Sequence, residues 1–141
     1  MKPFLRPLIA TLIFMSLYLN LNGQDLRGAW ENQNGSVLFI EGIDTTTGVI
    51  SGYFTSSSGT EGEKFSIMGY VNKLPYESGM HNVIAIAFTV RWENYGSITS
   101  WSGYYSDEKT PVIHAMWHLV RPKSAFHFEH ILTGSETFHR Q

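Results

Sequence analysis

"WENQNGS", residues 30–36, is the stretch on which the fold turns. Asn34 and Gly35 both tolerate the positive φ that short β-turns demand, so the pair predicts a hairpin. It would join a strand over Arg27–Gln33 to a second over Ser36–Gly42. The residues beside the turn are unusual for strands. Asn32 and Ser36 are small hydrogen-bonding side chains where β-branched residues are the ordinary choice.

Beyond that hairpin the chain runs in short alternating or β-branched segments, broken by Gly, Asn, Asp, Ser or Pro. These predict six more strands, over Val49–Ser56, Lys64–Asn72, Asn82–Glu93, Ser97–Tyr105, Pro111–Val120 and His130–Arg140. Turns fall at Asp44–Gly48, Ser57–Gly62, Lys73–His81, Glu93–Gly96, Ser106–Thr110 and Arg121–Phe126, with one short helical turn over Pro122–Phe126. Eight sequential strands with short connections fit an all-β fold, an eight-stranded antiparallel up-and-down β-barrel that leaves no exposed edges. A β-sandwich is the competing arrangement. A barrel of this size is either filled or holds one small ligand.

The 141 residues give room for one domain. Residues 1–23 read as a secretory signal peptide: Lys2 and Arg6 open it, an apolar run follows from about Leu8 to Leu21, and small or polar residues close it near Gly23. Cleavage between Gly23 and Gln24 would leave a mature domain over 24–141, secreted or periplasmic and free of the membrane. A retained anchor is the alternative, but the run is short of the roughly 20 apolar residues a span needs. The chain has no cysteine, so its core must hold without disulfides. A net charge of -2 and the lack of a basic run argue against nucleic acid as a partner. The sequon Asn34-Gly35-Ser36 matters only in a glycosylating host.

Strand parity sorts the side chains, since i and i+2 share a face. Ile84, Ile86, Phe88, Val90 and Trp92 fall together; so do Ser97, Thr99, Trp101 and Gly103. Ile113, Ala115, Trp117 and Leu119 share one face, with His114, Met116 and His118 on the other. The inward faces are apolar at depth and change to hydroxyls and tryptophans toward one end. Asn32 and Ser36 can point into that end, joined by Ser56, Ser97 and Thr99. Beside Trp92, Trp101 and Trp117 they suit a ligand with a neutral polar head and an apolar body. Solvated strand ends are the plainer reading of the same pattern.

Five motifs in order, "GAWENQNGS", "GVISGYFTSSSG", "FTVRWENYGSITSWSGYY", "HAMWHL" and "TGSETF", resemble the avidin and streptavidin family of biotin-binding proteins, over Leu26 to Arg140. Gly28-Ala29-Trp30 is shared with lipocalins, where the tryptophan plugs the closed end under a basic side chain; Arg140 is placed for that role. The resemblance implies a non-catalytic binder of biotin. Asn32 and Ser36 would donate to the ureido oxygen, and Ser56 would accept from a ureido N–H. Trp92, Trp101, Trp117 and Leu119 would wall the bicyclic ring, with Thr99 facing the sulfur. Ser97 and the loop from Ser58 to Thr60 would meet the valeryl carboxylate. A ureido group is polar but uncharged, so rigid donors can satisfy it without burying an ion.

Three departures from the family lower the expected affinity. The tyrosine that commonly supplies a third donor to the ureido oxygen aligns with Phe54; a one-residue slip would bring Tyr53 in but reverse every face of the strand. Glu136 stands for the aspartate or asparagine at the far ureido N–H. Phe128 stands for the tryptophan lent to a neighbouring subunit. The family implies a homo-oligomer, a tetramer first and a dimer second; the outward His114, Met116 and His118 would lie in a subunit contact or else form a solvated strand face.

Two other classes compete. An enzyme or metal site would have to use the histidines, but four strand residues separate His114 from His118 by roughly 13 Å, too far for one zinc ion. His127 and His130 would point to opposite faces, and no Gly-x-Ser-x-Gly elbow accompanies the serines. Neither a catalytic residue nor a metal or cofactor is expected. A lipocalin-like carrier of another apolar ligand is the remaining alternative, and it would favour apolar residues at positions 32 and 36.

Overall fold

The computed structural model describes residues 25–72 and 79–141. The signal peptide over 1–23, its cleavage point and most of the turn Lys73–His81 lie outside them. Eight strands follow in chain order: β1 (Gly28–Asn32), β2 (Val37–Ile43), β3 (Val49–Thr55), β4 (Phe65–Asn72), β5 (Ile84–Arg91), β6 (Ile98–Ser106), β7 (Val112–Val120) and β8 (Ile131–Arg140). Each pairs antiparallel with the next, and β1 pairs with β8 to close the barrel. Closure excludes the sandwich. Every strand end falls within two residues of its predicted position.

Period-two patterning does the work. Along β4, Phe65, Ile67, Gly69 and Val71 turn inward while Ser66, Met68 and Tyr70 face out, and β5 repeats the pattern with Ile84, Ile86, Phe88 and Val90 inside. The first hairpin is a three-residue loop. The Gly35 N–H donates to Asn32 O at 3.0 Å, the Asn32 N–H donates to Ser36 O at 2.9 Å, and Gly35 sits at φ +83°, where a side chain would be strained.

One end of the barrel is sealed. Trp30 is fully buried and its indole N–H donates to Leu26 O at 2.8 Å. The Arg140 guanidinium lies 4.3 Å over the Trp30 ring and donates to the carbonyls of Arg27 and Asp25. The plug read from Gly28-Ala29-Trp30 and Arg140 is therefore in place, and the opposite end stays open.

The helical turn falls elsewhere than Pro122–Phe126. It is a 3₁₀ turn over His127–His130. Ser124 Oγ accepts from the Phe126 N–H and donates to Phe126 O, which holds residues 124–126 in a tight loop. Phe126 is then extended, and helical bonding begins only where the Glu129 N–H reaches Phe126 O at 3.1 Å. A second 3₁₀ turn, Glu93–Tyr95, occupies what the sequence marks as a plain turn; it ends at Gly96 with φ +72°.

Candidate functional site

The first hairpin brings Asn32 and Ser36 to the open end, both buried. Asn32 Oδ1 accepts from the backbone N–H of Asn34 at 3.0 Å and of Ser36 at 2.9 Å. Only oxygen can accept those bonds, so the amide orientation is decided. Nδ2 must then face the interior. It is buried and has no hydrogen-bond partner. A buried donor without a partner costs about 1–3 kcal/mol, which a ligand oxygen would recover. Ser36 Oγ accepts from the Ser57 N–H at 3.1 Å and lies 3.2 Å from Ser57 Oγ.

Below the hairpin lies an aromatic floor. Phe54 is buried with its ring 4.9 Å from Trp101 and 6.0 Å from Trp92; Trp101 in turn stacks on Phe88 at 4.7 Å. Tyr53 faces out, stacked on Phe39 at 5.0 Å. The slipped alignment is thus excluded, and the position inside carries no hydroxyl. Glu136 is half-buried, and its Oε2 accepts from Trp101 Nε1 at 2.8 Å. Burial pushes the Glu136 carboxyl above its ordinary value, opposed by the Trp101 hydrogen bond and the nearby Asn32 amide. That amide lies outside hydrogen-bond geometry but close enough to favour the carboxylate.

The mouth is a cavity of about 270 Å³, small for a ligand pocket. Ser56, Ser58 and Thr60 line it from the β3–β4 loop. Trp92, Ser97, Thr99 and Leu119 complete it from β5 to β7, and Trp92 Nε1 donates to Thr99 Oγ1 at 2.7 Å. The Ser56 hydroxyl is folded into its own loop, donating to Ser58 O at 2.9 Å and accepting from the Ser58 N–H at 3.3 Å. Trp117 is inward and half-buried against Gly134, where a Cβ would stand 2.5 Å from the indole Cζ2. Asn32, Ser36, Phe54, Trp101, Trp117 and Glu136 do not line this cavity, and nor does Phe128, which is 80% exposed and stacks on Phe126 at 5.5 Å.

Sequence reading missed two contributors. Tyr95 lines the cavity from the 3₁₀ turn, and Ser57 ties the β3–β4 loop to Ser36. Tyr95 sits three residues after Trp92, and an aromatic residue in a short turn beside a site tryptophan is the signal that would have found it.

The sequence profile of the Avidin family matches residues 20–141. The chain belongs to the avidin family. That family consists of non-enzymatic, biotin-binding barrels whose members are generally oligomeric. The fold is similar to solved avidin-family structures. Core-bradavidin is 29% identical with a TM-score of 0.65, over 79% of this chain and 96% of that one. Xenavidin is 26% identical with a TM-score of 0.67, over 85% and 100%. Ligand-free shwanavidin is 28% identical with a TM-score of 0.65, over 85% and 100%.

Proposed function

We propose that this avidin-family barrel binds biotin in its open end without catalysis, through the site drawn above. The unpartnered Asn32 Nδ2 carries the reading. With the Ser36 hydroxyl it forms a two-donor seat for a ureido oxygen, while the Ser56 oxygen and the Glu136 carboxylate accept the two ureido N–H groups. Trp92, Trp101, Trp117 and Leu119 enclose the rings, and Thr99 faces the sulfur. Ser58, Thr60 and Ser97 meet the tail. Phe54 withholds a third donor, which lowers affinity by very roughly 0.5–1.5 kcal/mol relative to a tyrosine.

The active form is a homo-oligomer, a tetramer ahead of a dimer, in which Phe128 covers a neighbour's mouth. The exposure of Phe128 supports this, as do the outward Met68, Tyr70 and Met116 on the face of β4 to β7. The mature chain begins at Gln24 and is secreted or periplasmic. The test is calorimetric titration of biotin into the chain from Gln24, with its molar mass measured alongside. Saturation at one biotin per chain is expected. No heat and no rise in melting temperature at millimolar biotin would refute the reading.

A further inference from the structure

The charge at the mouth bears on which form of the ligand enters, and this argument rests on the biotin reading. Tyr95 lines the cavity, and its hydroxyl donates to Glu63 Oε1 at 3.2 Å. Its phenol is pushed upward by desolvation first, then by the Glu63 carboxylate, with Glu61 adding. The Tyr95 bond holds Glu63 at the rim, and Glu61 belongs to the same loop. Glu61 Oε1 also accepts from the Gly59 N–H at 3.2 Å, which consumes a loop amide that an anionic ligand group could use. Two of the basic side chains nearby are engaged elsewhere. Lys64 Nζ lies 4.3 Å over the outward Tyr53 ring, and Arg91 pairs with Glu93 at 3.4 Å. No lysine or arginine lines the cavity among the described residues.

A free carboxylate at the end of the ligand tail would meet repulsion here and, among the described residues that line the cavity, no lysine or arginine. An amide carries no charge and presents both an N–H and a C=O. The hydroxyls of Ser58, Thr60 and Ser97 can serve either group, since each donates and accepts. Thr60 Oγ1 is buried in that loop with no partner. We propose that the site prefers biotin whose tail carboxyl is amide-linked to an amine, as in a lysine conjugate, over the free acid. Taking a separation on the order of 8 Å for each of two carboxylates, Coulomb repulsion in a water-like dielectric amounts to about a five-fold difference in affinity at low salt.

The experiment titrates the mature chain with biotin, biotin N-methylamide and a peptide carrying lysine-linked biotin, at low and high salt. It is repeated on the Glu61→Gln/Glu63→Gln double variant, with melting temperature as the check on folding. The methylamide should bind about five-fold more tightly than the acid at low salt. That gap should shrink at high salt and close in the double variant, with the peptide following the methylamide. Equal or tighter binding of the free acid overturns the proposal, as does a gap that survives both carboxylate substitutions. A peptide shut out while the methylamide binds overturns the conjugate as the source. If neither acid nor amide binds, the biotin reading itself fails, and the two failures are told apart.

Discussion

Replacing Asn32 separates two jobs held by one side chain. Asn32→Ala removes the two bonds from Oδ1 to the backbone of Asn34 and Ser36, a loss of about 1–3 kcal/mol. It also removes a buried donor outside hydrogen-bond geometry, which returns part of that amount, less what the amide contributes to the Glu136 carboxylate. The terms partly cancel, so the ligand-free melting temperature should fall by no more than about 5–10 °C. Binding has no such compensation. The ligand oxygen loses a donor, and a buried acceptor left short costs about 1–3 kcal/mol, or roughly five- to 150-fold in Kd. Asn32→Asp is the companion variant. It keeps an acceptor for the turn but sets a second carboxylate beside Glu136, so it should bind at least as weakly as the alanine variant and recover partly on mild acidification, when the pair shares a proton. Titration calorimetry, or dissociation rate if binding is too tight, reads the affinities. An alanine variant within two-fold of the parent would show that Nδ2 is not the ligand's donor.

Glu136 makes stability and binding run in opposite directions with pH. Its carboxyl is raised by burial, so its contribution to stability is fully present below the unfolded value of 4.5 and is lost as pH rises through the higher folded value. Biotin affinity should instead fall on acidification through that range, because a protonated carboxyl no longer accepts freely; Glu136→Gln should flatten both profiles. Asp25 acts the other way on stability: held at about 2, first by the side-chain hydrogen bond from Arg27, it contributes above the ordinary 3.8 and is lost as pH falls toward 2. Arg140→Ala strips the cation from Trp30 and should cost about 1–2 kcal/mol, roughly 5–10 °C in melting temperature, with biotin affinity unchanged because the plug is remote from the mouth. Gly134→Ala pushes a Cβ into Trp117 and should shift tryptophan emission and weaken binding at least about ten-fold, since a rigid wall of the pocket is displaced.

What the sequence disclosed follows from what each residue does locally. Alternation in "IAIAFTVR" and "FSIMGYVN" announces strands because one face must be dry, and Asn34-Gly35 announces its turn because Gly35 supplies the positive φ that the loop requires. Asn32 and Ser36 stood out for being polar where strands prefer branched carbon. The direction of the Asn32 amide was not legible, since it depends on two backbone N–H groups positioned by the folded hairpin. Nor was the Trp101–Glu136 bond, which joins residues on β6 and β8 that meet only across the closed barrel. The position of the helical turn after β7 hung on one hydroxyl, Ser124, whose bonds to Phe126 no periodicity reveals.

The sealed end has a practical corollary for anyone handling the protein. Residues 25–27 and 140–141 are stitched together there, by Arg140 to the carbonyls of Asp25 and Arg27 and by the Gln141 N–H to Ala29 O at 3.0 Å. Anything tethered ahead of Asp25 or behind Gln141 therefore hangs from the rear of the can, and a surface that grips either tail presents the mouth outward. The same adjacency makes a circular permutant simple to draw: a short linker from Gln141 to Asp25, with new ends cut in an exposed connection such as Ser106–Thr110. It would keep all eight strands in their present neighbours' grip.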